Sequence, residues 1–191
     1  MLEQLTDSLI LIADQTQNNL WVLSKILLVL WGIYVINLLL GKRLLYFGLR
    51  PRQLIGLPGI LCAPFLHANF NHIFFNSIPL VVLANFILLQ GLPAFMHVSA
   101  LIILFSGLLV WCFAKPGLYV GASGVITGYW GYLVAYAYYQ STTTSLILAC
   151  ICVIYFAGVL WSIFPGKQHV SWQGHLFGLI AGLGVAYSGH S

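Results

Sequence analysis

Long apolar stretches alternate with short polar or glycine- and proline-rich breaks along most of the chain. A helix needs about 20 predominantly apolar residues to cross the hydrocarbon core of a bilayer. Most of these stretches have that length. The pattern therefore predicts six membrane-spanning helices, at residues 21–40, 70–89, 95–113, 121–140, 146–164 and 171–187.

The segments outside these spans divide the chain into an N-terminal lead-in and a membrane domain with a long first loop. Residues 1–20 are polar and mildly amphipathic, and we interpret them as an N-terminal lead-in, a short surface helix or a disordered stretch. They lack a basic start, so a cleaved signal peptide is not expected. Residues 41–66 mix basic residues with prolines and glycines, which excludes one clean spanning helix and predicts a long, partly membrane-embedded loop. Residues 21–191 are expected to form a single membrane domain.

Composition assigns the class of protein. The 191 residues are 61% hydrophobic and 5% charged, with a mean hydropathy of +0.98, whereas soluble domains contain roughly 25% charged residues. We therefore expect an all-α, multi-pass integral membrane protein in contact with the lipid bilayer. The seven basic residues are too few and too scattered for a nucleic-acid surface.

The acidic side chains are confined to the N-terminal end, at Glu3, Asp7 and Asp14. An aspartyl intramembrane protease needs two membrane aspartates, and a zinc protease needs a His-Glu-x-x-His helix. The sequence supplies neither, and no cofactor or metal is expected. The four cysteines lie in apolar surroundings and are interpreted as small hydrophobic residues: Cys62, Cys112, Cys150 and Cys152.

Polar residues recur at the start of alternate spans. With six spans, the second, fourth and sixth run in the same direction, so their first turns share one face of the membrane. His72 and Asn76 begin the second span, Ser123 begins the fourth, and His175 begins the sixth. We expect these four side chains to converge.

Two interpretations of Ser123 and His175 stay open on the residues alone. Serine is a weak nucleophile until a neighbouring base removes its proton, and His175 could be that base. Because no carboxylate follows residue 14, such a site has to be a dyad. Alternatively, the two side chains form an interhelical hydrogen bond worth ~0.6–2 kcal/mol, and the small residues around Ser123 form a helix-packing notch. Glycines at 178 and 182 allow the two helices to approach closely.

His72 and Asn76 are four residues apart and therefore lie on one side of a helix. As donors aimed at a developing oxyanion they can contribute ~3–4 kcal/mol each to the transition state; the alternative is that they hold helices together. His67 is too early to share their helical face and is expected to tie down the end of the loop. The remaining histidines are interpreted as interfacial: His97, His169 and His190.

Three segments of the sequence, taken together, resemble those of a known protein family. They are His67-Ala-Asn-Phe-Asn-His72-Ile-Phe-Phe-Asn76, Gly121-Ala-Ser123-Gly124 and Ser171-Trp-Gln-Gly-His175-Leu-Phe-Gly178. In order and spacing the chain resembles the rhomboid family of intramembrane serine proteases, over about residues 21–189. The resemblance implies a six-helix rhomboid-like bundle with a water-accessible cavity.

The resemblance also implies roles. Ser123 would be the nucleophile and His175 the base. The oxyanion hole would be formed by His72, Asn76 and the backbone N–H of Ser123. The substrates would be single-span membrane proteins, cut within or near the bilayer.

The sequence departs from the better-known members at three places. Thr127 stands where an aromatic residue commonly stacks on the catalytic histidine, and Gly174 replaces a frequent alanine. The Trp-Arg pair often present in the first loop is absent, and residues 48–52 read Gly-Leu-Arg-Pro-Arg instead. These departures concern the anchoring of the loop and the rate of turnover, since none removes a catalytic group.

The basic residues and the family resemblance predict opposite orientations in the membrane. Six basic residues lie in the loops on the side of the candidate site, and the positive-inside rule places that side in the cytoplasm. The resemblance implies the reverse for bacterial members: a multi-pass protein of the cell membrane, the inner membrane in a bacterium, with its site facing outward. We follow the resemblance. The six residues are Lys42, Arg43, Arg50, Arg52, Lys115 and Lys167.

Three functions are weighed. The leading hypothesis is an intramembrane serine endopeptidase that uses Ser123 and His175. The second is a rhomboid-like protein without proteolytic activity that binds or escorts membrane clients. The third, a channel or transporter, is weaker because no carboxylate is available within the membrane to coordinate an ion.

Overall fold

The structure is a computed structural model that describes residues 2–161, 163–164 and 172–189. These residues fold into α-helices joined by short connections and a long loop after the first helix. The helices are α1 (Leu2–Leu39), α2 (Gly59–Cys62), α3 (Phe70–Leu88), α4 (Leu92–Phe113), α5 (Ser123–Gln140), α6 (Thr143–Tyr155), α7 (Ala157–Trp161) and α8 (Trp172–Ser188). The all-helical membrane bundle expected from the sequence is confirmed.

Helix α1 begins at Leu2, so residues 2–20 are helical and continuous with the predicted first span. The point at which the membrane domain begins stays a prediction. The polar residues that precede Trp21 are accommodated by contacts with distant helices. Asn85 of α3 accepts a hydrogen bond from the Asn19 amide at 3.1 Å and donates one to the Thr16 hydroxyl at 2.7 Å. These three side chains satisfy one another's hydrogen-bonding groups, and α1 continues past them without a break.

The other helix bounds follow the apolar pattern closely. Helices α3, α4, α5 and α8 lie within three residues of their predicted spans at the ends that the structure describes. The predicted fifth span is interrupted at Phe156, where α6 ends and α7 begins. The predicted break at residues 165–167, the start at Ser171, and His169 and His190 lie outside the described residues.

Among the residues that the structure describes, three helices are long and apolar enough to cross a membrane: α1, α3 and α4. Helix α5 has 18 residues, α8 has 17 and α6 has 13. The protein is thus a multi-pass membrane protein by its helices, and the count of six spans stays a prediction.

The long loop after α1 is a chain of short helical turns rather than a spanning helix, as the prolines predicted. Its turns are Arg43–Phe47, Leu54–Gly56, α2 and Ala63–Phe65. Arg52 fixes it to the end of α4, because its guanidinium Nη1 donates to the carbonyls of Cys112 at 3.2 Å and Ala114 at 2.7 Å. The Trp111 indole donates in return to the Gln53 carbonyl at 3.0 Å. Arg52 and Trp111 therefore anchor the loop without the Trp-Arg pair.

The same loop also holds the segment that precedes α5. An isolated antiparallel β-bridge pairs Leu49 with Tyr119, with N–H···O distances of 3.0 and 2.9 Å. Further along, the Gly121 N–H donates to the Ala63 carbonyl at 2.9 Å. The entry to α5 is thus fixed from the side of the loop.

Helices α5 and α8 pack backbone to backbone through glycines. A Cβ atom placed on Gly178 would collide with the carbonyl of Gly124, and one placed on Gly182 would collide with the carbonyl of Gly128. Small residues are the usual means of such close approach in membranes, where apolar burial alone does not drive helix association. The groove predicted from the glycine spacing is therefore filled by the facing helix.

We predict that Gly182→Ala destabilises the protein by about 1–3 kcal/mol, the usual cost of overpacking. Gly184→Ala is the matched control: it lies two residues further along α8, and a Cβ there meets nothing within 4 Å. That control should be neutral or stabilising by up to about 1 kcal/mol, because alanine is the better helix former. Unfolding in mixed detergent micelles measures both, and equal losses would contradict the close contact.

Candidate active site

The four side chains singled out in the sequence line one cavity of about 700 Å³: His72, Asn76, Ser123 and His175. They come from the first two turns of α3 and the first turns of α5 and α8. The walls are completed by the loop after α1 and by α4. The expected convergence at one end of the bundle is therefore present in the fold.

Ser123 is the first residue of α5, and Gly121 shapes the turn before it. Gly121 has a φ of +109°, a conformation that residues with a Cβ rarely adopt. A Cβ at this position would also collide with the imidazole of His72 and would lie 3.3 Å from the Asn76 amide nitrogen. The glycine therefore lets the backbone before Ser123 lie directly against these two side chains.

His175 lies in the first turn of α8 and is buried, with 8% of its surface exposed. Its neighbour Gly174 lies against Gly124: a Cβ on Gly124 would be 3.1 Å from the Gly174 carbonyl oxygen. The residues next to Ser123 and His175 are thus in backbone contact. This contact brings Ser123 and His175 to one wall of the cavity.

Gln173 fixes the start of α8 to the loop that leads into α5. Its side-chain oxygen accepts a hydrogen bond from the Lys115 backbone N–H at 2.9 Å and lies 3.2 Å from the Tyr119 hydroxyl. Both partners are more than 50 residues away along the chain, so helical spacing could not have identified this role. Gln173 is a residue that the sequence analysis missed.

His72 and Asn76 are presented by the start of α3. Asn69 caps this helix, since its side-chain oxygen accepts a hydrogen bond from the His72 backbone N–H at 2.9 Å. Asn76, one turn later, is 8% exposed. The predicted spacing of four places both residues on the side of α3 that lines the cavity.

His67 lies deeper than either, with 1% of its surface exposed. Its Nε2 is 3.1 Å from the amide nitrogen of Asn76 and 3.4 Å from the backbone nitrogen of Ala122. Its ring meets that of His72 edge-on, with the ring centroids 4.9 Å apart. As expected, His67 ties down the end of the loop after α1. It also joins α3 to the turn before Ser123.

Thr127 does not reach into the cavity. Its hydroxyl donates to the carbonyls of Gly124 at 2.8 Å and Ser123 at 3.2 Å. It faces α8 at Gly178, where an added Cβ would collide with it. Threonine at this position therefore serves the packing of α5 on α8.

The chemistry available in the cavity is that of hydroxyl, imidazole, amide and backbone groups. None of the residues that line the cavity is acidic, and the acidic side chains of the chain all precede residue 15. Within the described part of the chain, no group of three or more His, Cys, Asp or Glu side chains could hold a metal ion. The arrangement suits acyl transfer by an activated serine.

Comparison with known proteins gives a consistent assignment. Residues 51–191 match the family model of the Rhomboid domain. Uncharacterized proteins of Mycobacterium tuberculosis and Mycobacterium bovis are each 34% identical over 167 residues, which cover 83% of this chain and 70% of the relative. An uncharacterized protein of Mycobacterium leprae is 36% identical over 138 residues, or 68% of this chain and 55% of the relative. With this match over most of its length, the chain belongs to the rhomboid family.

Proposed function

We propose that this rhomboid-family membrane protein is an intramembrane serine endopeptidase that cuts transmembrane segments of other membrane proteins. One observation carries the proposal: Ser123, His175, His72 and Asn76 line a single cavity. A nucleophile, a base and two donors in one cavity are the minimum set for acyl transfer without a metal.

The reaction proceeds in two halves. In the first, the Ser123 hydroxyl oxygen attacks the carbonyl carbon of the scissile peptide while His175 takes the hydroxyl proton. The tetrahedral intermediate collapses as His175 returns the proton to the leaving amine, which leaves an acyl-Ser123. In the second, His175 deprotonates a water molecule that attacks the acyl carbon. The bond between the acyl carbon and the Ser123 oxygen then breaks, His175 returns the proton to that oxygen, and the carboxylic acid product leaves.

The negative charge that forms on the carbonyl oxygen needs donors already in place. His72 and Asn76 supply side-chain N–H groups, and the backbone N–H of Ser123 lies at the start of α5, where helix N–H groups lack intrahelical partners. With no carboxylate beside His175, these donors are expected to provide the larger part of the transition-state stabilisation.

The outer surface of the bundle supports the class of substrate. Its helices expose large hydrophobic side chains, as expected of a protein surrounded by lipid, so we expect substrates that themselves lie in the bilayer. Single-span membrane proteins are the simplest such substrates.

We propose that the protein lies in the cell membrane with the site on the extracytoplasmic side, although the basic residues of the adjacent loops favour the reverse orientation.

We predict that Ser123→Ala and His175→Ala each abolish cleavage of a fluorescent single-span substrate in liposomes. The nucleophile is lost in one variant and its base in the other, so losses of at least about a thousandfold are expected for a dyad that acts as a unit. Cleavage that continues at the wild-type rate in both variants would rule out the dyad.

A fluorophosphonate probe separates the enzyme from a protein that only escorts membrane clients. The enzyme should be labelled at Ser123, and labelling should disappear in Ser123→Ala. Capture of the client without product and without labelling would favour the escort function instead.

We predict that Asn76→Ala lowers kcat by about 10²-fold, with little change in KM, because one oxyanion donor is removed. Steady-state cleavage of the same substrate measures this. Asn18→Ala is the matched control: Asn18 is exposed on α1, where it donates to Asp14 at 3.3 Å, and its loss should leave kcat unchanged. A rise in KM alone would show that Asn76 binds substrate rather than the oxyanion.

A further inference from the structure

The protonation state of His67 is determined by a backbone group. The Ala122 N–H points at Nε2 of His67 at an N···N distance of 3.4 Å. A backbone N–H can only donate a hydrogen bond, so Nε2 must be the bare, accepting nitrogen. The imidazole is therefore neutral, with its proton on Nδ1, which is buried and has no hydrogen-bond partner among the described residues.

This tautomer in turn determines the orientation of Asn76. A bare Nε2 at 3.1 Å requires a donor, and only the amide nitrogen of Asn76 can donate. The amide nitrogen of Asn76 carries a second N–H. This nitrogen lies 3.3 Å from the position that a Cβ of Gly121 would occupy. Asn76, Gly121 and Ser123 all line the cavity. If the amide were turned over, its carbonyl oxygen would lie there and repel an oxyanion.

The surroundings of His67 keep the ring neutral. Burial, helped by the nearby His72 and opposed by the Phe65 carbonyl, lowers the pKa of His67 from 6.5 to about 4. The titratable group packed on its ring is His72, the Gly121–Ser123 turn contributes none, and the sequence supplies no carboxylate after residue 14. Nothing charged therefore favours a proton on Nε2.

We propose that His67 is a positioning residue whose bare Nε2 orients the Asn76 amide toward the oxyanion and holds the turn that presents Ser123. The single lone pair of Nε2 is shared by two donors from different elements, the Asn76 amide at 3.1 Å and the Ala122 N–H at 3.4 Å. His67 itself need not touch the substrate. The expected effect on kcat rests on the proposed protease function. The tautomer of His67 rests on geometry alone.

We predict that His67→Leu lowers kcat by about tenfold or more with KM unchanged, because an unheld Asn76 is a poorer oxyanion donor. His67→Gln should retain most of the wild-type kcat, since its side-chain oxygen reaches a position similar to that of Nε2 and accepts the same N–H groups. In an Asn76→Ala background, His67→Leu should cost little more, because the two residues act as one unit. Losses that multiply independently, or a Gln variant as slow as Leu, would contradict positioning.

A readout independent of activity keeps this inference separate from the proposed function. ¹⁵N NMR of histidine-labelled protein in detergent micelles distinguishes a bare ring nitrogen from a protonated one. At neutral pH we expect Nε2 of His67 to be bare and Nδ1 to carry the proton, with the signals assigned by their loss in His67→Gln. A proton on Nε2 would overturn the inference even in an active protease. The expected tautomer in an inactive protein would overturn only the proposed function.

We also predict a pH signature in stability. Because the folded-state pKa of about 4 lies below the ordinary value of 6.5, the unfolded chain binds the His67 proton first as pH falls. The stability contributed by neutral His67 is complete above pH 6.5 and is lost progressively towards pH 4. Glutamine does not titrate, so wild type should lose stability relative to His67→Gln over this window. Parallel stability curves for the two proteins in mixed micelles would show that His67 is not held neutral.

Discussion

The backbone contact between α5 and α8 is the constraint on which the candidate site depends. Lipid chains are as apolar as leucine, so two membrane helices gain little from burying apolar side chains against each other and instead associate through close packing. Gly178 lies against Gly124 and Gly182 against Gly128, with no room for a Cβ at either glycine of α8. The same approach places Gly174 against Gly124, which brings the neighbouring residues Ser123 and His175 to one wall of the cavity. A larger residue at these positions would separate the helices and the two catalytic candidates together.

On the side of the loop after α1, hydrogen bonds add to close contacts at glycines, since a Cβ on Gly59 would collide with the backbone of Leu49. The loop after α1 is irregular, and irregular backbone at membrane depth needs partners within the protein. Arg52 caps the end of α4 through two carbonyls, Leu49 pairs with Tyr119, and Ala63 accepts from Gly121. These contacts tie the loop to the segment entering α5 and replace the anchoring expected from a Trp-Arg pair. The loop therefore acts as the fixed frame against which the turn before Ser123 is set.

A site without carboxylates has to orient its groups by neutral hydrogen bonds. His67, Asn76 and the Ala122 N–H form such a set, in which a backbone donor determines the tautomer of the imidazole and the imidazole determines the orientation of the amide. Neutral networks of this kind avoid the desolvation cost of a buried charge. In this set the buried Nδ1 of His67 has no hydrogen-bond partner among the described residues. The shape of the turn at Gly121 is what makes this arrangement possible.

The sequence determined the features that depend on local composition and spacing. Apolar length defined α3 and α4, the spacing of four placed His72 and Asn76 on one face, and the glycines of α8 predicted its close approach to a partner. Other features are set by contacts between residues far apart in the chain. Thr16 and Asn19 in the first half of α1 are paired with Asn85 of α3. Gln173 and His67 make contacts with loops and helices that sequence spacing does not relate to them. A polar side chain in a membrane protein is stable only where a partner satisfies it, and only the tertiary structure decides which partner that is.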